Sequence, residues 1–163
     1  MGPLVRAITY STLFVGFVLV FLPARVLEWS GVTPPVERGF AQAAGVVVGL
    51  LGAGLAAWCI VTFSLVGRGT PAPFDPPRRL VVAGPYRRIR NPMYVGAGLA
   101  LAGAALYYKS LALLGYLVVF LLATQLLVLG YEEPTLRRLF GNDYGEYCRR
   151  VGRWWPRRSS RHP

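Results

Sequence analysis

Residues 40–66 and 111–130 contain no charged side chain, and each is long enough to cross a bilayer, which takes about 20 consecutive apolar residues. This constrains the chain more than any other feature. A segment of that length in hydrocarbon must satisfy its backbone hydrogen bonds internally, as a helix. Residues 4–22 form a third run, with the lone Arg6 near its start. No small-residue cleavage site follows it, so it reads as a retained span rather than a signal peptide. A fourth run, residues 92–107, is shorter and depends on its neighbours. With 54% hydrophobic residues in a chain of 163, the sequence predicts an all-α integral membrane protein of about four transmembrane helices with a C-terminal cytoplasmic helical segment. All of it forms one domain: two packing helices in 1–66, a core in 67–156 and a basic tail in 157–163.

The formal charge of +11 would suggest nucleic acid in a soluble protein, but its distribution follows membrane topology instead. Residues 68–90 hold six arginines and residues 137–161 hold eight, whereas in residues 24–39 Arg25 and Arg38 are balanced by Glu28 and Glu37. The tight turn near Tyr108 carries only Lys109. Four spans with both termini, the central basic loop and the tail in the cytoplasm satisfy the positive-inside bias at every loop. The arginines are then expected to meet anionic lipid headgroups, with no nucleic-acid partner.

Two cysteines give no disulfide framework: Cys59 falls in an apolar span and Cys148 in the tail, so the two are not expected to meet. The one histidine, His162, is next to last. A histidine triad, a His general base and a His-ligated zinc are therefore excluded, and no metal site is expected.

Punctuation divides the rest. Glycines 45, 49, 52 and 54 put small residues on the second run, where they favour close helix packing in lipid. The proline-rich stretch 67–77 cannot be a helix and reads as a shaped loop. Residues 78–83 read as a short extended or interfacial piece. Pro92 suits the first position of a helix whose uncapped amides face the basic loop. Pro134 is expected to end the last span and push Glu133 into an extended conformation. Gly141 reads as a helix stop, Asn142 or Asp143 as the cap of a further helix to about Val151, and Trp154 with Trp155 as an interfacial anchor.

The polar residues concentrate at two places, GPYRRIRNPMYVG (84–96) and the acid pair Glu132-Glu133. Carboxylates at the end of a span need water or a partner. The candidates are the arginines among Arg87, Arg88 and Arg90, or a ligand carrying cationic or hydroxyl groups. Arginines beside a span also hold lipid phosphates, and Tyr86 and Tyr94 also fit an aromatic belt. Their order along the chain, a Gly-Pro-Tyr turn, arginine, Asn-Pro, tyrosine, tight hairpin and acid pair, describes a polar pocket facing the cytoplasm.

These two stretches, the second continuing as YEEPTLRRLFGNDYGEYCRRVGRWWP (131–156), resemble the isoprenylcysteine carboxyl methyltransferase and phospholipid methyltransferase superfamily. The resemblance covers residues 67–156, the methyltransferase-like core. It implies an enzyme that uses S-adenosylmethionine, with S-adenosylhomocysteine as product, and a membrane lipid or lipidated small molecule as acceptor. By motif it places Leu80, Val81, Tyr86, Arg90, Asn91, Pro92, Met93, Tyr94, Glu132 and Glu133 at the cofactor, with Tyr144 and Tyr147 closing the site. Asn91, Tyr94 and Glu133 are the catalytic candidates. Carboxylates can accept from a ribose diol or an ammonium, arginine can hold a carboxylate, and tyrosine faces suit a sulfonium. Arg90-Asn91-Pro92 stands where the carboxyl methyltransferases read Arg-His-Pro, and Val128 stands where they carry an arginine about one turn before the acid pair. The acceptor is left open between a carboxylate and an amine headgroup. Two other classes share parts of this pattern: an NADPH-dependent membrane reductase of sterol-like or enone lipids, and a non-catalytic lipid-binding membrane protein.

Overall fold

The computed structural model describes residues 13, 16–36, 39–67 and 77–157. Most of the first half of the 4–22 run, the interior of the 67–77 loop and the tail with His162 lie outside the described residues. Helix α1 (Leu22–Trp29) continues a π-helical stretch, Gly16–Phe21. Helix α2 (Phe40–Thr62) runs on through the π turn Phe63–Gly67, and a 3₁₀ turn, Gly84–Arg87, precedes helix α3 (Pro92–Tyr108). Helix α4 (Leu111–Leu127) passes through a third π turn, Val128–Glu132, into helix α5 (Glu133–Arg150). No strand occurs among the described residues. One isolated parallel bridge joins Ile89 to Gly152.

The first helix extends past the expected end at residue 22. Arg25 and Glu28, assigned from the sequence to a loop, pair one turn apart at 2.5 Å and carry the helix to Trp29, where Gly31 turns the chain at φ +66°. The last span also differs from expectation. Glu133 is helical at φ −62°, ψ −43°, and the helix continues through Pro134. The π turn is the physical reason. Proline normally clashes with the carbonyl four residues back, and the wider turn, in which the Glu133 amide donates to the Val128 carbonyl, accommodates the ring at the start of α5. Gly141 behaves as the sequence predicts: at φ +48°, ψ −119° it breaks α5 into two segments.

Helices α2 and α3 are antiparallel and pack backbone to backbone. An added Cβ at Gly52 would lie 2.4 Å from the Ala100 amide nitrogen, and one at Gly103 would lie 2.4 Å from that of Gly49. The small residues of α2 therefore serve packing within the chain, against the glycines of α3. The side chain of Gln42 closes the far end, donating from Nε2 to the Tyr107 carbonyl at 3.3 Å. Lys109, left-handed at φ 49°, makes the hairpin turn to α4, and Ser110 caps it by accepting from the Leu113 amide at 3.2 Å.

Among the described residues, Phe40–Gly67 and Leu111–Arg150 are the two helices long and apolar enough to cross a membrane. Only 17% and 22% of their most apolar windows are buried, so these are not the core helices of a soluble fold; their apolar faces point outward. At 17 residues α3 reaches about 26 Å, at the short end of what a crossing takes. It also forms the protein's core. Tyr94, Ala97, Leu101, Phe120 and Val128 are buried together, with Trp154 packed against them.

Candidate active site

The site forms where the start of α3, the π turn before α5 and residues 151–154 converge. Backbone bonds draw the start of α3 and residues 151–154 together: the Arg90 amide donates to the Gly152 carbonyl at 2.9 Å and the Asn91 amide to the Arg153 carbonyl at 3.3 Å. Asn91 is the N-terminal flanking residue of α3, but its side chain does not cap the helix. Its Nδ2 donates to the Arg153 carbonyl at 3.4 Å, which leaves the first amides of α3 without a side-chain acceptor. Pro92 is buried at the first helical position, as its fixed φ favours.

The two acids, lying just past the apolar run 111–130, have different partners. Tyr94, buried on the first turn of α3, donates its hydroxyl to Glu132. Glu133 is gripped by arginines: Arg153 donates from Nε to Oε1 at 2.6 Å and from its terminal nitrogen to Oε2 at 2.9 Å, while Arg90 lies 3.0 Å from Oε1. Burial raises the Glu132 carboxyl above the ordinary carboxylate range, with the Tyr94 hydrogen bond opposing and the Glu133 charge adding to the rise. Burial would raise Glu133 as well, but the Arg153 hydrogen bonds and the charges of Arg90, Arg153 and Arg137 overcome it and hold that carboxyl low. Adjacent carboxylates with opposed shifts serve different tasks.

The aromatic residues complete the enclosure. Tyr147 donates its hydroxyl to the Tyr86 carbonyl at 2.7 Å, tying α5 to the 3₁₀ turn. Tyr144, Tyr147 and Val151 bury one another with Leu80 against them, while Val81, Tyr86 and Cys59 form a neighbouring cluster touched by Met93. Burial pushes the hydroxyls of Tyr86, Tyr144 and Tyr147 above the usual tyrosine range, so all three remain donors. The cofactor positions implied by the resemblance thus lie in one connected neighbourhood, whereas Arg87 and Arg88 are exposed and pair with neither acid. Arg90 is its hub: it donates to the Cys148 sulfur at 2.8 Å and pairs with Glu133, yet its buried Nε has no partner among the described residues.

Sequence reasoning missed Arg153, Gln125 and Cys148 and misread Trp154. Trp154 is not a lipid anchor: its indole nitrogen donates to Gln125 Oε1 at 2.8 Å, and its ring is half-buried against the core. Trp155 is the exposed one, at 81%. Gln125, a lone amide in an apolar run, did carry a signal, since a polar side chain at that depth needs a partner.

These side chains suit a ligand that presents both charges. An orphaned arginine nitrogen and uncapped helix amides favour an anionic group, and a half-buried carboxyl bonded only to a tyrosine among the described residues favours donors. Neither the comparison with curated proteins nor that with solved structures returned a match. A family profile, phospholipid methyltransferase, matches residues 40–143, from the start of α2 into the second segment of α5. Spanning well over half of the chain and both walls of the site, that match shows that the chain belongs to the phospholipid methyltransferase family.

Proposed function

We propose that the chain transfers a methyl group from S-adenosylmethionine to the amine headgroup of a membrane lipid, releasing S-adenosylhomocysteine. The observation that carries this reading is the Tyr94–Glu132 pair, which ties the two walls of a family-matched site into one polar centre beside Arg90. Glu132 and Tyr94 would accept from and donate to the ribose hydroxyls or the ammonium of the cofactor. The free Arg90 Nε and the Met93 and Tyr94 amides would hold its carboxylate, with Asn91 beside them. Val81, Leu80, Pro92 and Met93 would wall the adenine and ribose, and the faces of Tyr86, Tyr144 and Tyr147 suit a cationic sulfur. The bound cofactor supplies an electrophilic methyl group. The residues around it align donor and acceptor and exclude water. Glu133, engaged by arginines on both oxygens, would hold the frame.

The acceptor is read as an amine because Val128, in place of a carboxylate-binding arginine, is fully buried in the apolar core. An amine reacts only as the free base, so its proton is lost before transfer. The exposed arginines Arg87, Arg88, Arg137, Arg138, Arg149 and Arg150 support four spans in a single domain, with both termini and the site at the cytoplasmic face against anionic headgroups.

Isothermal titration of the protein in nanodiscs with S-adenosylhomocysteine tests the cofactor. Binding is expected, and Glu132→Gln or Tyr94→Ala should weaken it several-fold without unfolding the protein. A folded protein that does not bind sinks the reading. Incubation with methyl-labelled cofactor and a lipid extract should place the label on an amine headgroup; label in a methyl ester would move the acceptor to the carboxylate class.

A further inference from the structure

We infer that Arg153 is a positioning residue for this site, acting through Glu133 and Asn91 rather than by touching a ligand; the inference rests on the proposed methyl transfer. Arg153 uses both of its ends. Its guanidinium takes both oxygens of Glu133, 20 residues earlier in the chain, and its carbonyl accepts from the amide and the side chain of Asn91, 62 residues earlier. One residue therefore fixes the first position of α5 relative to the first turn of α3. Glu132 directly precedes the one and Tyr94 lies within the other.

Its neighbours secure the same alignment. The Gly152 carbonyl accepts from the Arg90 amide at 2.9 Å, and a side chain at Gly152 would collide with the Trp155 carbonyl, so the turn here is tight. Trp154 donates to Gln125 on α4 at 2.8 Å. Residues 152–154 thus strap α3, α4 and α5 together at the end where the acids lie. Arginine is required because two parallel bonds fix orientation as well as distance, whereas lysine supplies a single point charge. Removing that fork frees Glu133 to turn, and Glu132, the preceding residue, turns with it away from Tyr94.

The test is a double-mutant cycle in nanodiscs, with S-adenosylhomocysteine affinity and melting temperature read side by side. Arg153→Gln should weaken binding about tenfold, the size of coupling found within one ion-pair network. Arg153→Gln combined with Glu133→Gln should bind no worse than the weaker single variant. Arg153→Lys, which keeps the charge that neutralises Glu133, should melt as the wild type does yet bind several-fold more weakly, an outcome that lost stability alone would not produce. Wild-type affinity in Arg153→Lys and Arg153→Gln, or strictly additive losses, overturns the inference. A wild-type protein that fails to bind instead removes the cofactor reading, and the positioning role falls with it.

Discussion

The opposed carboxyl shifts at Glu132 and Glu133 lead to opposite pH dependences. A carboxyl held below its unfolded value stabilises the fold at pH above that value, about 4.3, and loses the contribution as pH falls through the folded one. Glu133 therefore adds stability at neutral pH that is lost as pH falls through its lowered folded value. Glu132, raised by burial, stabilises at low pH and loses that contribution as pH rises through its folded value. Melting temperatures between pH 3 and 8, on the order of the carboxylate range, should show Glu133→Gln flattening the acid-side decline and Glu132→Gln removing a loss on the neutral side. Identical profiles for the two variants would contradict the assignment of separate partners. The sequence made both acids legible as site residues, because carboxylates at the end of an apolar run need an explanation. It did not separate their roles. The partner that distinguishes them, Arg153, is brought near only by the folded chain, and nothing local to 153 marks it among the tail's other arginines.

At the scale of elements, apolar runs and prolines located the helices well, and the exceptions have local causes. The i,i+3 pair Arg25–Glu28 lengthens α1, and the π turn Val128–Glu132 carries the helix past Pro134. A preference of the residue before proline for extended backbone is weaker than the continuity of a packed helix. The glycines of α2 announced close packing, but their partners on α3 emerged only with the antiparallel register. Gly52→Ala should destabilise by about 1–3 kcal/mol, since the new methyl meets backbone on both sides and neither helix can yield locally. Gly54→Ala, with nothing within 4 Å of the added carbon, should leave the melting temperature unchanged or higher. Equal effects of the two substitutions on thermal melts in detergent would show that α2 and α3 do not pack in this register.

For the whole molecule, family membership and two outward-facing apolar helices describe a membrane methyltransferase whose candidate site gathers at one end of the helix bundle. The hairpin turn at Lys109 lies at the other end, about 26 Å away along α3. A cysteine placed at Lys109 should react with an impermeant maleimide from outside intact cells, and one placed at Arg138 only after lysis; the reverse pattern would invert the proposed orientation. The charge distribution is what the proposed orientation rests on, whereas the closing strap was not legible in the sequence, because it depends on contacts 20 and 62 residues apart. Successive side chains on a helix point about 100° apart, so Glu132 and Glu133 sense two directions around the axis of one rod. If that rod twists either way, both grips slacken together. The acid pair thereby registers the rotation of that rod at two contacts, and a twist too small to unpack the bundle is enough to part them.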